Sequence, residues 1–236
     1  IPIKKGVKVL DIGCGRGELS FWAANHGSQV VGIDYSVQAI KLALQAKKKQ
    51  SFTIQKRVSF LQMDAKKINF SKNCFDVVFL VEILEHLYPE EQKLIFKQIL
   101  KVLKPDGFIF IHTSPSRWFN DYTYPYWCYP LSSLIVKFWN RFTHSQYPNL
   151  APPNQVRTVS HKIMHINEPD YFSLKKLFEK SGFEGAIKST NITVMKPEIG
   201  WKDKLFNVLV YLHPLSKFPP FNIFWGNDFY VTLTKK

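Results

Sequence analysis

The chain has 236 residues, of which 45% are hydrophobic and 21% charged, and this balance excludes an intrinsically disordered chain. The length suits one large domain or two small ones. No apolar run is long enough to cross a membrane. The three cysteines have no metal-binding spacing, which favours a reduced, cytoplasmic setting.

Basic residues outnumber acidic ones, with 32 Lys and Arg against 18 Asp and Glu and a net charge of +14. A charge of this size attracts polyanions and anionic lipid surfaces over long distances. Net charge governs non-specific association and does not define a site. Nucleic acid and membrane partners therefore both stay open at this point.

Apolar runs bounded by turn residues predict five strands in the first half of the chain. They lie at 7–12, 29–33, 58–63, 75–81 and 107–113. The amphipathic patterns between these runs predict helices at 17–26, 36–49 and 89–103. Ser36 is suited to cap the second of these helices. Strands that alternate with helices indicate a parallel sheet that is covered on both faces.

The pattern changes after residue 114, where the chain becomes rich in Pro, Tyr and Trp. The insertion has about forty residues, which is longer than most connections within a domain. One amphipathic piece stands in it at 131–142, and the alternation resumes with elements at 171–181, 183–190 and 228–234. We therefore predict a single α/β domain over residues 1–236. An aromatic-rich cap at 115–165 is expected within it, with 200–226 as a candidate addition.

A glycine-rich turn follows the first predicted strand, in the sequence VLDIGCGRG. Asp11 ends the strand, and the turn then places Gly13, Gly15 and Gly17 at alternate positions. Such a turn brings backbone N–H groups close to a ligand at the start of a helix. Asp34 ends the next strand, where a carboxylate can accept hydrogen bonds from ribose hydroxyls. Together these features predict a site for a cofactor that contains adenosine.

With this turn, the chain resembles the class I S-adenosylmethionine-dependent methyltransferases. The later segment FDVVFLVEILEHL and the Lys-Pro-Asp-Gly turn are similar to the small-molecule branch, in particular to the O-methyltransferases of ubiquinone biosynthesis. The resemblance runs from residue 6 to about 113 and resumes at about 165. It implies a doubly wound, Rossmann-like fold with a mostly parallel seven-stranded sheet. It also implies S-adenosylmethionine as the cofactor and S-adenosylhomocysteine as its product.

The resemblance also implies which residues hold this cofactor. In the family, the glycine turn holds the methionine part, the acid after the second strand binds the ribose, and an acid after the third strand meets the adenine. The implied cofactor-binding residues here are Asp11, Gly13, Cys14, Gly15, Gly17, Asp34, Tyr35, Asp64, Ala65 and Val81.

The segment EILEHL places Glu82, Glu85 and His86 after the fourth strand. It resembles the E-x-x-E-H of the ubiquinone family, some of whose members are thought to bind a divalent metal there. By its chemistry, His86 could act as a general base, or the three residues could ligate a metal that acidifies a hydroxyl. A third reading is that the segment only orders the start of a helix. In relatives, a histidine before the helix that is predicted here at 171–181 faces the acceptor pocket. This adds His165 as a candidate.

Two absent motifs and two apolar stripes bear on the acceptor. The chain lacks the N-P-P-Y of amine-directed nucleic-acid methyltransferases, and Cys128 follows Trp127 where 5-methylcytosine enzymes have Pro-Cys, so nucleic acid is disfavoured. The stripes at 131–142 and 201–212 have cations beside them. Such stripes suit an interfacial helix or a lid, although most amphipathic helices pack against a core.

We therefore expect O- or C-methylation of a small hydrophobic acceptor, including isoprenoid and lipid-linked compounds. The expected location is the cytoplasm, with peripheral association on the cytoplasmic face of an anionic membrane. Two alternatives remain. One is a tRNA or RNA methyltransferase that uses the basic surface, and the other is a member of the fold that binds the cofactor without catalysis.

Overall fold

Seven strands form the central sheet of the structure, a computed structural model that describes residues 3–143, 146–191 and 200–236. In chain order they are β1 (Lys8–Ile12), β2 (Gln29–Asp34), β3 (Val58–Gln62), β4 (Phe75–Val81), β5 (Leu103–Thr113), β6 (Phe183–Thr190) and β7 (Asp228–Lys235). Their order across the sheet is β3-β2-β1-β4-β5-β7-β6, and the neighbours among β1 to β5 pair in parallel. The predicted mostly parallel, doubly wound α/β fold is confirmed.

The α-helices of the described residues connect these strands or stand in the insertion. They are α1 (Glu18–Asn25), α2 (Val37–Lys48), α3 (Phe52–Arg57), α4 (Pro89–Val102), α5 (Tyr129–Thr143), α6 (Pro153–Val156), α7 (Val159–Met164), α8 (Tyr171–Lys180), α9 (Trp201–Tyr211) and α10 (Phe221–Trp225). Ser36 caps α2 as predicted, because its Oγ accepts a hydrogen bond from the Ala39 N–H at 3.2 Å. No helix of the described residues combines the length and the apolar character that a membrane span needs.

The core of the sheet follows from the continuous apolar runs of the central strands. In β4, the four residues Val77 to Leu80 are all buried, as expected for a strand that is covered on both faces. On one side of the fold, the ring of Phe96 in α4 contacts Phe178 of α8 and Phe183 of β6, with centroids 5.5 and 5.8 Å apart. These contacts hold α4 and α8 in place, and thereby the ends of the strands that they connect.

Two elements differ from the prediction. The fifth strand begins at Leu103 and not at residue 107, because the Lys-Pro-Asp-Gly turn forms a bulge inside the strand. Phe75 pairs with Leu103 on one side of this bulge, and Val77 pairs with Phe108 on the other. The sequence pattern also missed α3, since none of its six residues is buried and the helix therefore has no apolar face to detect.

The chain divides into two compact units. The first contains residues up to His112 together with Lys175–Ile187 and Val231–Lys236, and the second contains Thr113–Leu174 and Lys188–Tyr230. The single-domain boundary and the cap at 115–165 and 200–226 stay predictions.

The second unit has its own apolar core and an arginine that pairs with two carboxylates, one of which is buried. The core gathers Phe119, Tyr124, Cys128, Val210 and Tyr211. Arg157 pairs with Asp121 and with Glu168, whose carboxylate oxygen lies 2.6 Å from a guanidinium nitrogen of Arg157. The side chain of Glu168 is 2% exposed. A carboxylate this deeply buried needs a partner, and Arg157 supplies one.

A π-helix over Phe119–Cys128 precedes α5 in the second unit. The one amphipathic piece predicted in the insertion was 131–142, so no helix was predicted here. Pro125 lies inside it and has no N–H to donate, so a regular α-helical ladder is interrupted at this point.

Candidate functional site

The glycine turn closes the carboxyl end of β1 against β2. The N–H groups of Gly13 and Cys14 both donate to the Ile33 carbonyl, at 2.8 and 3.0 Å, and the Gly17 N–H donates to the Cys14 carbonyl at 2.8 Å. Burial raises the pKa of the Cys14 thiol far above its ordinary value, so this thiol stays protonated. We therefore expect Cys14 to fill space in the turn and not to act as a nucleophile.

The three glycines of the turn meet different surroundings. A Cβ atom at Gly13 would stand 2.1 Å from Cδ1 of Ile83, and one at Gly17 would stand 2.5 Å from Cζ of Phe60, so both are packed against side chains. At Gly15, where φ is +53°, a Cβ would meet no atom within 4 Å. The backbone of Gly15 therefore faces open space. This is the arrangement that a ligand lying on the turn requires.

Asp34 connects this open turn with the end of β2. Its Oδ2 accepts a hydrogen bond from the Gly15 N–H at 3.0 Å, and its Oδ1 accepts one from the Ser36 N–H at 2.9 Å. Each carboxylate oxygen can accept a further hydrogen bond, so the group is held in position and can still bind hydroxyls. Tyr35, the next residue, is exposed. The predicted ribose position thus lies directly beside the predicted methionine position.

Replacing Asp34 by alanine is expected to weaken S-adenosylmethionine binding by about 10- to 100-fold. The reason is that a hydrogen bond to a charged group contributes roughly 1.5–3 kcal/mol, and each 1.4 kcal/mol is about tenfold. Calorimetric titration with S-adenosylmethionine measures the effect. Asp106→Ala, at an exposed position in the bulge within β5, is the control. Equal affinity of the two variants would remove Asp34 from the site.

Asp64 lies after β3, at the start of a short 3₁₀ turn over Ala65–Lys67. Its Oδ1 accepts a hydrogen bond from the Lys66 N–H at 2.9 Å. The ammonium of Lys66 contacts Glu91 of α4 at 2.6 Å and lies 3.8 Å from Asp64. This ion pair anchors the turn to α4 and leaves Asp64 exposed, as a residue that contacts a ligand must be.

Asp11 is buried below the turn, and its Oδ2 accepts a hydrogen bond from the Ser20 hydroxyl at 2.6 Å. Burial, with a smaller contribution from the nearby Asp34 charge, raises the pKa of Asp11 to about 7. Since Asp11 does not reach the surface, we expect it to hold the turn to α1 through Ser20.

The raised pKa of Asp11 predicts a pH dependence of stability. The folded state binds this proton more tightly than the unfolded chain does, so the contribution of Asp11 is fully present below about pH 4. It is lost as the pH rises to about 7, by on the order of 1 kcal/mol per pKa unit. In Asp11→Asn, the amide still accepts from Ser20 but does not titrate. The free energy of unfolding of Asp11→Asn should thus rise relative to the unmodified chain between these pH values. Asp106→Asn should show no such trend. If the free energy of unfolding depended on pH in the same way in Asp11→Asn and in the unmodified chain, the raised pKa of Asp11 would be contradicted.

The fourth and fifth strands place a carboxylate and an imidazole together. Val81 of β4 pairs in register with His112 of β5, and the Glu82 N–H donates to the His112 carbonyl at 2.9 Å. One oxygen of the Glu82 carboxylate lies 2.5 Å from Nδ1 of His112. The backbone of Glu82 has a φ of +54°, which is uncommon for a residue other than glycine. This turn directs the Glu82 side chain toward β5.

His112 was not among the predicted site residues. A signal was available, since His112 lies one residue before the end of the strand predicted at 107–113 and Glu82 directly follows the strand predicted at 75–81. In a parallel sheet, residues at the carboxyl ends of neighbouring strands come together.

The other predicted catalytic residues have different surroundings. Glu85 is buried and His86 is exposed, with 3.9 Å between a Glu85 oxygen and Nε2 of His86. His165 belongs to the second unit and is partly buried. In the described part of the chain, no group of three or more His, Cys, Asp or Glu side chains could hold a metal ion. The geometry therefore gives no support to a metal site at Glu82, Glu85 and His86.

Comparisons with known proteins show the family of this chain. A family model described as a methyltransferase domain matches residues 3–168. The chain is 32% identical to the cyclopropane-fatty-acyl-phospholipid synthase of Escherichia coli over 146 residues, which cover 58% of this chain and 36% of that protein. It is 36% identical to a ubiquinone biosynthesis O-methyltransferase of Coxiella burnetii over 123 residues, or 51% and 48% of the two chains. The chain thus matches less than half the length of either relative.

A solved structure shows the same fold. It is a SAM-dependent methyltransferase from Methanosarcina mazei, with a TM-score of 0.58 and 21% identity over 100% of this chain and 94% of that one.

Proposed function

Because this chain belongs to the methyltransferase domain family, we propose that it transfers the methyl group of S-adenosylmethionine to a small, hydrophobic acceptor. The observation that carries the proposal is the open backbone of Gly15 with the Asp34 carboxylate fixed beside it. On the other side of β1, the Glu82–His112 pair at the ends of β4 and β5 is a candidate proton acceptor at the same edge of the sheet. A cofactor cradle and a base at one sheet edge are the parts that methyl transfer to a hydroxyl or an acidic carbon needs.

The residues at the strand ends fit the parts of this cofactor. The turn from Gly13 to Gly17 would hold the methionine part, Asp34 with Tyr35 the ribose, and Asp64 with Ala65 the adenine, while Val81 would border the site. When bound, S-adenosylmethionine supplies an electrophilic methyl group on a sulfonium. The contribution of the chain is to align the acceptor, exclude water and take up a proton.

We assign the role of general base to His112. A neutral His112 that donates Nδ1–H to the Glu82 carboxylate has its lone pair on Nε2. Nε2 is buried, so the acceptor has to reach it from within the protein and not from the surface. The carboxylate also stabilises the imidazolium that forms when Nε2 takes the acceptor proton, as the acid of a catalytic triad does. Glu85 and His86 remain candidates for contacts with the acceptor, and His165, in the second unit, remains a candidate from the sequence alone.

The names of two relatives support a hydrophobic acceptor. One refers to a fatty acyl phospholipid and one to ubiquinone biosynthesis, whereas a third relative is named for phosphoethanolamine, which is polar. The aromatic residues of 115–165 suit a hydrophobic acceptor. We further propose that the enzyme works in the cytoplasm and meets its acceptor at the cytoplasmic face of an anionic membrane.

The proposal is tested by incubating the purified chain with an extract of its own source cells and S-adenosylmethionine that carries a labelled methyl group. We expect label in the organic-soluble fraction, and about 10- to 100-fold less of it with the Asp34→Ala variant when the cofactor is limiting. Label only in a ribonuclease-sensitive fraction would identify an RNA methyltransferase. Calorimetric binding of the cofactor with no label in any fraction would identify a non-catalytic member of the fold.

A further inference from the structure

Helices α5 and α9 of the second unit expose apolar side chains on their outer sides. In α5, Leu134, Phe138 and Phe142 recur every four residues and are 66%, 64% and 64% exposed. In α9, Trp201 is 65% exposed, and Leu205 and Val208 continue its stripe. Soluble chains rarely leave such large side chains in contact with water on two adjacent helices. We call these six residues the α5–α9 surface.

The inner sides of the same helices are packed, so the exposed stripes belong to ordered helices. Ser132 and Val136 of α5 are buried, as are Val210 and Tyr211 of α9. The rings of Trp139 and Trp201 meet edge to face with centroids 5.9 Å apart, which joins the two helices. Each helix therefore has more apolar residues than its contacts with the core bury.

Basic residues border the α5–α9 surface. Lys137 and Arg141 each follow an exposed apolar residue of α5 by three positions, which places them along one edge of that stripe. Lys202 and Lys204 lie on opposite sides of the stripe of α9. The ammonium of Lys202 lies 4.7 Å from the centre of the Trp139 ring, over its face. Aromatic and aliphatic residues bordered by cations are typical of helices that lie in a membrane interface.

Acidic residues are almost absent around this surface. No Asp or Glu occurs in the sequence from 129 to 167 or from 204 to 227. The one acid on the two helices is Asp203, whose carboxylate accepts a hydrogen bond from the Gly200 N–H at the start of α9. A second copy of this chain would bring like charges together and be repelled. An anionic surface with an apolar interior complements both the charge and the stripes.

We propose that the α5–α9 surface docks on the headgroup and acyl boundary of an anionic lipid bilayer. The exposed Leu, Phe and Trp side chains enter the boundary, and the Lys and Arg side chains contact the lipid phosphates. This inference extends the proposed function, since a hydrophobic acceptor must be collected from a membrane. The binding itself is measured without acceptor or cofactor.

The test is flotation of the full chain with vesicles of phosphatidylcholine, with or without phosphatidylglycerol. We expect binding only with phosphatidylglycerol. Phe138→Ser should weaken the partition by about tenfold or more, because it removes a buried aromatic side chain from the bound state. Lys137→Gln with Arg141→Gln should weaken it by about 30-fold, at roughly 1 kcal/mol per charge.

The chain offers matched controls in the first unit. Phe52→Ser removes an aromatic residue of α3 that is 71% exposed, and Lys93→Gln with Lys97→Gln removes two exposed charges of α4 at the same spacing. Both should bind vesicles as the unmodified chain does. Equal losses in the α5 variants and the controls would overturn the inference, as would equal binding to neutral vesicles.

Two further results separate this inference from the proposed function. A dimer that Phe138→Ser dissociates would show that a second copy covers the surface, and would overturn the membrane inference. Vesicle binding by a chain that fails to bind S-adenosylmethionine in calorimetry would refute the proposed function and leave the membrane inference intact. Methyl transfer without vesicle binding would refute the membrane inference and leave the proposed methyl transfer intact.

Discussion

Replacing His112 by asparagine is expected to lower the rate of methyl transfer by about 10²- to 10⁴-fold, while S-adenosylmethionine binds as before. The range is what a positioned general base contributes to a reaction. Asparagine retains a polar group next to Glu82 but cannot take up the acceptor proton. The measurement is the initial rate of label transfer to the organic-soluble fraction, together with calorimetric titration of the cofactor.

Further variants distinguish a base from a structural residue. Glu82→Gln should lower the rate less than His112→Asn does, since it removes only the charge that orients and stabilises the imidazole. Added imidazole should restore part of the activity of a His112→Ala variant. His26→Asn, at an exposed position after α1, should leave the rate unchanged. A full rate in His112→Asn, or a loss of cofactor affinity equal to the loss of rate, would reject the assignment.

Replacing Arg157 by methionine is expected to lower the free energy of unfolding by about 3–5 kcal/mol. Methionine fills a similar volume but leaves the Glu168 carboxylate in the interior without the guanidinium that contacts it at 2.6 Å. Removing one partner of a buried ion pair typically has this cost. Urea unfolding followed by tryptophan fluorescence measures it, because Trp118, Trp127, Trp139, Trp201 and Trp225 all lie in the second unit.

A surface ion pair supplies the control for Arg157. Arg16 contacts Glu18 at 2.9 Å, and both side chains are largely exposed, so Arg16→Met should change the stability by less than about 1 kcal/mol. Adding Glu168→Gln to Arg157→Met should recover part of the loss, because the uncompensated charge is then gone. Equal stability of the Arg157 and Arg16 variants would show that Glu168 does not depend on Arg157.

The sequence pattern was most informative where a structure depends on near neighbours in the chain. The second strand, predicted at 29–33, is Gln29–Asp34, and Ser36 caps the following helix. The Lys-Pro-Asp-Gly turn was predicted at the correct place. Its effect on the strand was predicted wrongly, because the turn forms a bulge within β5 and does not precede the strand. Whether a turn ends a strand or bends it depends on the pairing partner, here β4, which lies elsewhere in the sequence.

The sequence by itself determined the alternating α/β order, the glycine turn and the acids after the next two strands. Hydrophobic period, turn chemistry and helix capping all act over a few residues, so one chain displays them without a homologue. Only the tertiary structure paired Glu82 with His112, because that contact depends on the register of two strands thirty positions apart. It also decided that Val136 of α5 is buried while Leu134, Phe138 and Phe142 are exposed. Periodicity locates an apolar stripe, whereas burial depends on what packs against it.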